Sequence, residues 1–265
     1  MPAGCGWSLW STIRSATRQR LSDRERTRWL ADEIRALEHA RHIIVTSRTT
    51  RARLGELGID TAKVTPVVPG VEPAQDLSFR AQRVPGPLRL LCVATLIPRK
   101  AQHLLLEALA PLNDRDWQLD LVGDARDPAY AARLRGMVGT MVLSERVRLT
   151  GAVSDAALED HWRRADVFVF PSLHEGWGIA PVEAVRWGLP VITSDAGALP
   201  ESVPTQARVM VPAGEVGALR ATLERLLDHA DHRAALCAGA RDAAATLRSW
   251  ADMRSEFAAV VGATA

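Results

Sequence analysis

Glu175 and Glu183, with seven residues between them, stand in the stretch of this chain that is richest in chemistry, Pro171–Pro190. Gly176 and Gly178 bracket Trp177 there, and residues without a Cβ let backbone approach a ligand closely. Pro181 suits the first position of a helix and Gly188 its C-terminal cap, which predicts about two turns between them. The start of such a helix presents unpaired amides and a partial positive charge, a setting that favours phosphate. On this reading Glu175 lies in the preceding loop and Glu183 in the first turn, so both carboxylates can face one crevice. A second loop, Ala94–Lys100, carries one of only two lysines in the chain; the other is Lys63.

The elements that must position these residues follow from hydrophobic patterning. Near-continuous apolar runs predict strands at 88–93, 118–122, 147–149, 166–170, 191–193 and 208–211. Helices are predicted at about 100–110, 128–140, 155–165, 180–187 and 216–229, with two more after 231. This alternation predicts an α/β fold, a Rossmann-like doubly wound parallel sheet. Ligands sit outside the carboxyl ends of strands in such sheets, and both loops fall there. Upstream, Ser22 and Glu25 form a capping-box pattern that opens a helix to about His39. A strand at 42–47, a helix over 49–57 ending at Gly58, and a strand at 63–68 follow. A lone β-α-β unit of this kind cannot bury both its faces. Pro69, Gly70, Pro73, Pro85, Gly86 and Pro87 mark a linker. The chain therefore divides into residues 1–21, without clean periodicity and expected to be disordered or aberrant; 22–70; a linker over 71–87; a complete sheet domain over 88–248; and a final helix over 249–265.

Composition narrows the function classes. Hydrophobic residues at 47% and charged residues at 24% match a soluble globular protein. Thirty-three basic against 31 acidic residues give +2, too balanced for a nucleic-acid binder. No stretch approaches the roughly 18–20 apolar residues of a membrane span. Cys5, Cys92 and Cys237 lie far apart without a Cys-x-x-Cys or a His cluster. That pattern argues against a zinc or disulfide framework and makes a reducing, cytoplasmic compartment the default, with docking at a membrane surface left open.

The context around the two glutamates carries a resemblance. Ala165-Asp-Val-Phe-Val-Phe-Pro-Ser172 before them, Gly188-Leu-Pro-Val-Ile-Thr-Ser-Asp195 after them and Leu121-Val-Gly-Asp124 upstream are similar to family 4 (group 1) glycosyltransferases, retaining enzymes of the GT-B fold. The similarity spans roughly residues 88–212 and reaches more weakly back to 22 and on to Phe257. It implies that the carboxyl-terminal half binds a nucleotide-sugar donor. Glu183 would then accept hydrogen bonds from the ribose hydroxyls, and Glu175 would be the catalytic carboxylate, binding the donor sugar near its reacting face. Amides around Gly176, Trp177, Gly178 and Ile179 would hold sugar or phosphate. The family sets an arginine and, five residues on, a lysine against the departing diphosphate; Lys100 matches the lysine, while Thr95 stands at the arginine position. Thr95 offers phosphate only a neutral hydrogen bond, weaker than a charged one. Arg99 either restores the missing charge or faces solvent. No metal and no cofactor beyond the donor substrate is implied.

The same resemblance implies a second Rossmann-like domain for the acceptor. Residues 22–70 resemble only its closing part, and Ser249–Phe257 resembles the helix that crosses back onto it. The expectation is a truncated chain with donor binding and impaired transfer. The alternatives are a non-catalytic nucleotide-sugar binding module, or half of a split enzyme completed by a separate acceptor-domain chain. Apolar faces on 22–70 favour such pairing or self-association. A nicotinamide oxidoreductase is disfavoured because the first strand–helix turn of the sheet domain lacks Gly-x-Gly-x-x-Gly; a nucleotide-sugar epimerase, which shares the fold, stays open. Donor base, sugar and acceptor are not specified.

Other residues read as structural. His174 is taken as positional, His161–Arg164 as an amphipathic helix end, and Cys92 as a small apolar residue in a strand. Arg241, Arg248 and Arg254 read as solvated faces, and Ser194-Asp195 as a helix cap.

Overall fold

The computed structural model describes residues 7–10, 22–72, 76–82 and 86–264. The first part is built from β1 (Trp7–Trp10), α1 (Asp23–Glu38), β2 (His42–Val45), α2 (Arg48–Glu56) and β3 (Val64–Pro66), with the strands parallel in the order β1-β2-β3. Patterning assigned no element to Trp7–Trp10, yet this segment pairs with β2 from Trp7↔His42 to Trp10↔Val45. The lone β-α-β unit thereby becomes a three-stranded sheet with β2 in its centre. Residues 1–6 and 11–21, on which the rest of the 1–21 expectation falls, lie outside the described residues. Helix α1 opens on the expected capping box, Ser22 and Glu25 satisfying each other's backbone amides. Its other end is closed by Lys63, whose Nζ donates to the carbonyls of Leu37 (2.9 Å), Glu38 (2.9 Å) and Ala40 (3.3 Å). A cation on the last carbonyls of a helix answers both their lone pairs and the helix dipole. One of the two lysines is therefore a structural cap.

The second part contains β4 (Leu88–Val93), α3 (Gln102–Leu109), β5 (Trp117–Val122), α4 (Pro128–Thr140), β6 (Val147–Gly151), α5 (Asp155–Arg164), β7 (Val167–Phe170), α6 (Ile179–Arg186), β8 (Val191–Ser194), α7 (Leu199–Ser202), β9 (Arg208–Val211), α8 (Val216–Asp228), α9 (Ala230–Ala244) and α10 (Trp250–Thr264). Its six strands are parallel in the order β6-β5-β4-β7-β8-β9, which is the doubly wound Rossmann arrangement. Parallel sheets are covered on both faces, and β4 shows why its sequence is continuously apolar. Leu90 and Cys92 enter one core with Leu105, Trp117 and Leu134, while Leu91 enters the other with Phe168, Phe170 and Trp187. Cys92 is 1% exposed, and burial pushes its thiol up to about 12.

Part of the predicted linker is docked onto the second sheet. Residues Ser78–Gln82 form a 3-10 turn, and the Arg80 guanidinium donates to the carbonyls of Ala165 (2.8 Å), Trp162 (2.8 Å) and Trp187. Those oxygens belong to the carboxyl ends of α5 and α6, which no intrahelical amide can satisfy. Farther along, Val71 N–H donates to Arg248 O (2.9 Å) and Trp250 N–H to Val71 O (3.2 Å). A Cβ at Gly70 would lie 2.2 Å from the Ser249 backbone, so this crossing requires glycine. Arg248 is correspondingly not a solvated side chain: it pairs with Glu256 at 2.5 Å and donates to Asp252 O at 3.0 Å. Arg241 and Arg254 are exposed, as expected.

Replacing Arg80 strips three helix-end carbonyls of a charged donor. Arg80→Ala is expected to lower unfolding stability by about 3 kcal/mol, and Arg80→Lys to recover only part of it because an ammonium cannot span three acceptors in a plane. Urea unfolding of the three proteins measures this.

Candidate functional site

Strands β4 and β7 are neighbours, with Leu90 opposite Val167 and Leu91 opposite Phe168, but the chain leaves β4 toward β5 on one side and β7 toward β8 on the other. Such a switch point opens a crevice at the carboxyl ends of the two strands. Two loops border it, 94–101 after β4 and 171–178 after β7.

The first loop is fixed by its neighbours. Ala94 and Leu96 donate to the carbonyls of Val122 (2.9 Å) and Asp124 (2.8 Å), and the buried Gln102 amide donates to Thr95 O at 3.1 Å. Gly123, at φ 153°, passes under this loop so tightly that a Cβ would sit 2.0 Å from Ala94 O. Pro98–Lys100 form a 3-10 turn, and α3 begins at Gln102 rather than at 100 because Ala101 adopts a left-handed conformation, φ 56°. The turn aims both cations of the loop across the crevice.

They meet one carboxylate oxygen. Glu175 Oε1 accepts from Lys100 Nζ at 2.6 Å, Arg99 Nη1 at 2.9 Å and Ser172 Oγ at 2.7 Å. Arg99 also donates to His174 O, and its own carbonyl accepts from Leu173 N at 2.8 Å. Lys100 lies over the Phe170 ring, 4.7 Å from its centre, a contact that favours a cation. The alternative of a solvent-facing Arg99 is therefore corrected: its side chain is 21% exposed and points inward. The glutamate and lysine side chains are 9% and 13% exposed, so their charges depend on each other. Burial lowers the Lys100 ammonium below its ordinary value, and the Glu175 carboxylate opposes that shift. Burial also lowers the His174 imidazole, with Arg99 adding to the effect.

The Glu175 backbone is held as firmly as its side chain. Ala198 N donates to Glu175 O at 2.9 Å, and a Cβ on Gly197 (φ 60°) would lie 2.1 Å from that oxygen. Ser194 and Asp195 do not cap a helix, which corrects the sequence reading. The Ser194 hydroxyl donates to Ser172 O, and Asp195 Oδ1 accepts from Ala213 N at 2.8 Å. These polar groups continue past the end of β8 and brace the 171–178 loop.

Helix α6 begins at Ile179 with Gly178 (φ 89°) as its N-cap, so Pro181 is its third residue and not its first. Glycine takes the cap position because the chain enters the helix through a left-handed turn. No side chain caps α6, which leaves its first amides for another acceptor. Glu183 consequently falls in the second turn, a correction to its expected place in the first. It is half-buried and stands apart from the ion cluster, and burial raises its carboxyl above the ordinary value against a lesser opposing pull from Arg186. Thr95, Gly176 and Trp177 are half-buried, and Ile179 is exposed.

The first sheet approaches the same loop. Thr46 Oγ1 donates to Gly176 O at 3.2 Å, and Glu201 of α7 accepts from the amides of Arg48 and Thr49 at 3.0 Å each. Glu201 thus caps α2 across more than 150 positions of sequence, a contact no local spacing announces. Between the two parts lies a cavity of about 250 Å³ bordered by Thr49, Arg53, Glu56, His174, Glu175 and Gly176. Among the described residues no group of three or more His, Cys, Asp and Glu is placed to hold a metal, and no helix is long and apolar enough to cross a membrane.

A Rossmann sheet with two cations and a carboxylate at its switch point defines an α/β protein with an anion-receptive crevice. The chain belongs to the group 1 glycosyl transferases, whose family model matches residues 87–229. It is 34% identical over 177 residues to an MMP alpha-(1->4)-mannosyltransferase of Mycolicibacterium hassiacum, covering 65% of this chain and 42% of the relative. It is 30% identical to a D-inositol 3-phosphate glycosyltransferase of Kineococcus radiotolerans, covering 80% and 54%. Its fold is the Rossmann-like GT-B arrangement. It superposes on Anabaena Alr3699/HepE, solved in complex with UDP-glucose, with a TM-score of 0.83 at 19% identity, covering 97% of this chain and 72% of that one. A sucrose-phosphate synthase of Thermosynechococcus elongatus gives 0.80 at 24% identity, covering 96% and 66%. The chain spans about half the length of these two curated relatives.

The Glu183 environment predicts a pH signature. A carboxyl raised by burial contributes stability that is fully present below its unfolded value, 4.5, and is lost as pH rises through the higher folded value. Glu183→Gln is therefore expected to be more stable than the parent at about pH 7 and equal to it at about pH 4. Urea midpoints at the two pH values check the sign.

Proposed function

We propose that this chain binds a nucleoside diphosphate sugar in the crevice between loops 94–101 and 171–178 and serves retaining glycosyl transfer from it. The observation that carries the reading is the meeting of Lys100 and Arg99 with Glu175 at the switch point. A departing diphosphate gains one negative charge on top of the two it already carries, and preorganised cations stabilise such charge best where water is excluded. Lys100 is the first of these. Arg99 supplies the second cation, a guanidinium, in place of the one that Thr95 does not provide, and the open amides of α6 around Gly178 and Ile179 receive further phosphate or sugar oxygens. Glu183, uncommitted and half-buried, accepts from ribose hydroxyls. Glu175 acts as a positioning and sugar-binding carboxylate, because an oxygen already accepting three hydrogen bonds is a poor nucleophile.

The diphosphate and Glu175 compete for the same ammonium. Donor arrival then exchanges one partner of Lys100 for another, and the released carboxylate turns to the sugar. Relatives named as GDP-mannose-dependent and a structural neighbour solved with UDP leave the donor base open. Nucleotide binding is the activity that the residues of this crevice account for directly. Rapid turnover of donor by the purified chain would show that it suffices for transfer.

Calorimetric titration with UDP and GDP tests the site. Lys100→Ala and Glu183→Gln are each expected to weaken the better nucleotide at least roughly tenfold, the value of one charged hydrogen bond. Unchanged affinity in both removes the assignment. Glu175→Gln has the opposite sign for the nucleotide alone: freeing Lys100 is expected to tighten UDP or GDP severalfold while weakening the sugar-bearing donor.

A further inference from the structure

A cavity of about 380 Å³ lies outside the crevice. It opens at the amino ends of β4 and β7, bordered by Leu88 and Arg89 on one strand and by Ala165–Val167 on the other, about 17 Å away along β4 at the usual strand rise. Six arginines line it, Arg80, Arg89, Arg163, Arg164, Arg233 and Arg241, against a single carboxylate, Asp166. So one-sided a lining concentrates positive potential in a concave, partly apolar space.

Structural duties consume only part of this charge. Arg80 and Arg233 are bound to main-chain carbonyls, the latter to Leu226 and Leu227, and a carbonyl accepts a hydrogen bond without cancelling a charge. Asp166 accepts the Arg89 backbone N–H at 2.7 Å. Arg163 pairs with Glu159 at 2.6 Å and lies over the Phe79 and Trp187 rings. Arg164 reaches Asp160 at 3.4 Å on the exposed rim. The guanidinium groups of Arg89 and Arg241 have no hydrogen-bond or ion-pair partner among the described residues. Burial takes Arg80 down to about 10; Cys237 and Asp166 oppose that shift, and Arg241 and Arg163 add smaller contributions to it.

We propose that this cavity is a second anion site, separate from the donor crevice, for a phosphorylated organic molecule. Its phosphoryl group is held by Arg89 and Arg241, and its carbon portion lies against Phe79, Leu88 and Val167. Guanidinium forks match phosphate oxygens in geometry as well as in charge. The volume is that of a small-molecule pocket rather than of a bare ion cradle. The apolar wall is what selects an organic phosphate over an inorganic one.

Calorimetry with glycerol 3-phosphate tests this on protein carrying Lys100→Ala, which disables the crevice cation. One saturable site is expected, with inorganic phosphate weaker. Adding Arg89→Ala and Arg241→Ala is expected to weaken it at least roughly tenfold. Cys237 borders the same cavity and is partly exposed, whereas Cys92 is buried. Glycerol 3-phosphate should therefore slow iodoacetamide alkylation of Cys237, read by mass spectrometry, and should fail to do so in the double arginine variant. Sedimentation with phosphatidylcholine vesicles containing phosphatidic acid identifies the source. Capture that needs both arginines assigns the phosphate to a lipid headgroup, and soluble binding without capture assigns it to a free metabolite. Absence of saturable binding and of capture, or binding and Cys237 protection that survive the double variant, overturns the proposal.

Discussion

One carboxylate oxygen holds the two sides of the switch point together. Arg99 and Lys100 are adjacent cations on a tight turn, and neither would remain inward without a compensating charge, since two positive groups at this depth repel each other and lose hydration. Glu175 Oε1 supplies that charge from the other loop, and Ser172 fixes its direction. The arrangement is possible only because strands distant in sequence, β4 and β7, are neighbours in the sheet. Strand order therefore precedes chemistry here: the crevice is a gap left by topology, and the ion cluster gives that gap a shape.

Legibility followed the physical range of each interaction. Strands and helices of the second part read well because their determinants are local, such as the continuous apolar run Leu88–Val93 or the capping pair Ser22 and Glu25. The motif glutamates and Lys100 stood out through the family resemblance of their surroundings, and the glycines around Trp177 by residue type. Contacts that cross the fold did not. Arg99 gave no sign of its direction, because an arginine after a proline reads equally as surface. Ser194 and Asp195 looked like a cap since serine followed by aspartate is a cap signal, yet tertiary neighbours claimed both side chains. Proline at the third position of α6 was read as the first, which placed Glu183 one turn too early. The β1 segment has no apolar alternation of its own, and its pairing with β2 is a property of the partner strand.

Glycine shows the same division. Gly176 and Gly178 attracted notice as flexible residues near a candidate site, and Gly178 does require its left-handed turn. Gly123 and Gly197 are under tighter steric constraint, each lying under a loop of the crevice where a Cβ would meet a carbonyl oxygen at 2.0–2.1 Å. Their role is to let one backbone layer rest directly on another. The site owes its rigidity to this stacking as much as to its charges, because both loops rest on main chain as well as on the side chains of Gln102 and Ser194.

The two ends of the β4–β7 pair pose the same electrostatic problem and answer it differently. At the carboxyl end two cations face a carboxylate, so a bound anion must displace an existing partner, and selectivity comes from that exchange. At the amino end Arg80 and Arg233 face carbonyls, Arg163 and Arg164 pair with Glu159 and Asp160, and Arg89 and Arg241 have no ion-pair partner among the described residues, so positive charge is only partly answered. A largely compensated cluster favours a ligand that brings its own replacement for the displaced group, which on the proposed reading the sugar hydroxyls of a nucleotide-sugar donor would be for Glu175. An unbalanced one rewards charge alone and leaves discrimination to the shape of the apolar wall. That contrast follows from how the helices end: α5 and α6 end on carbonyls that Arg80 must satisfy, whereas α6 begins on amides for which the described residues supply no side-chain cap.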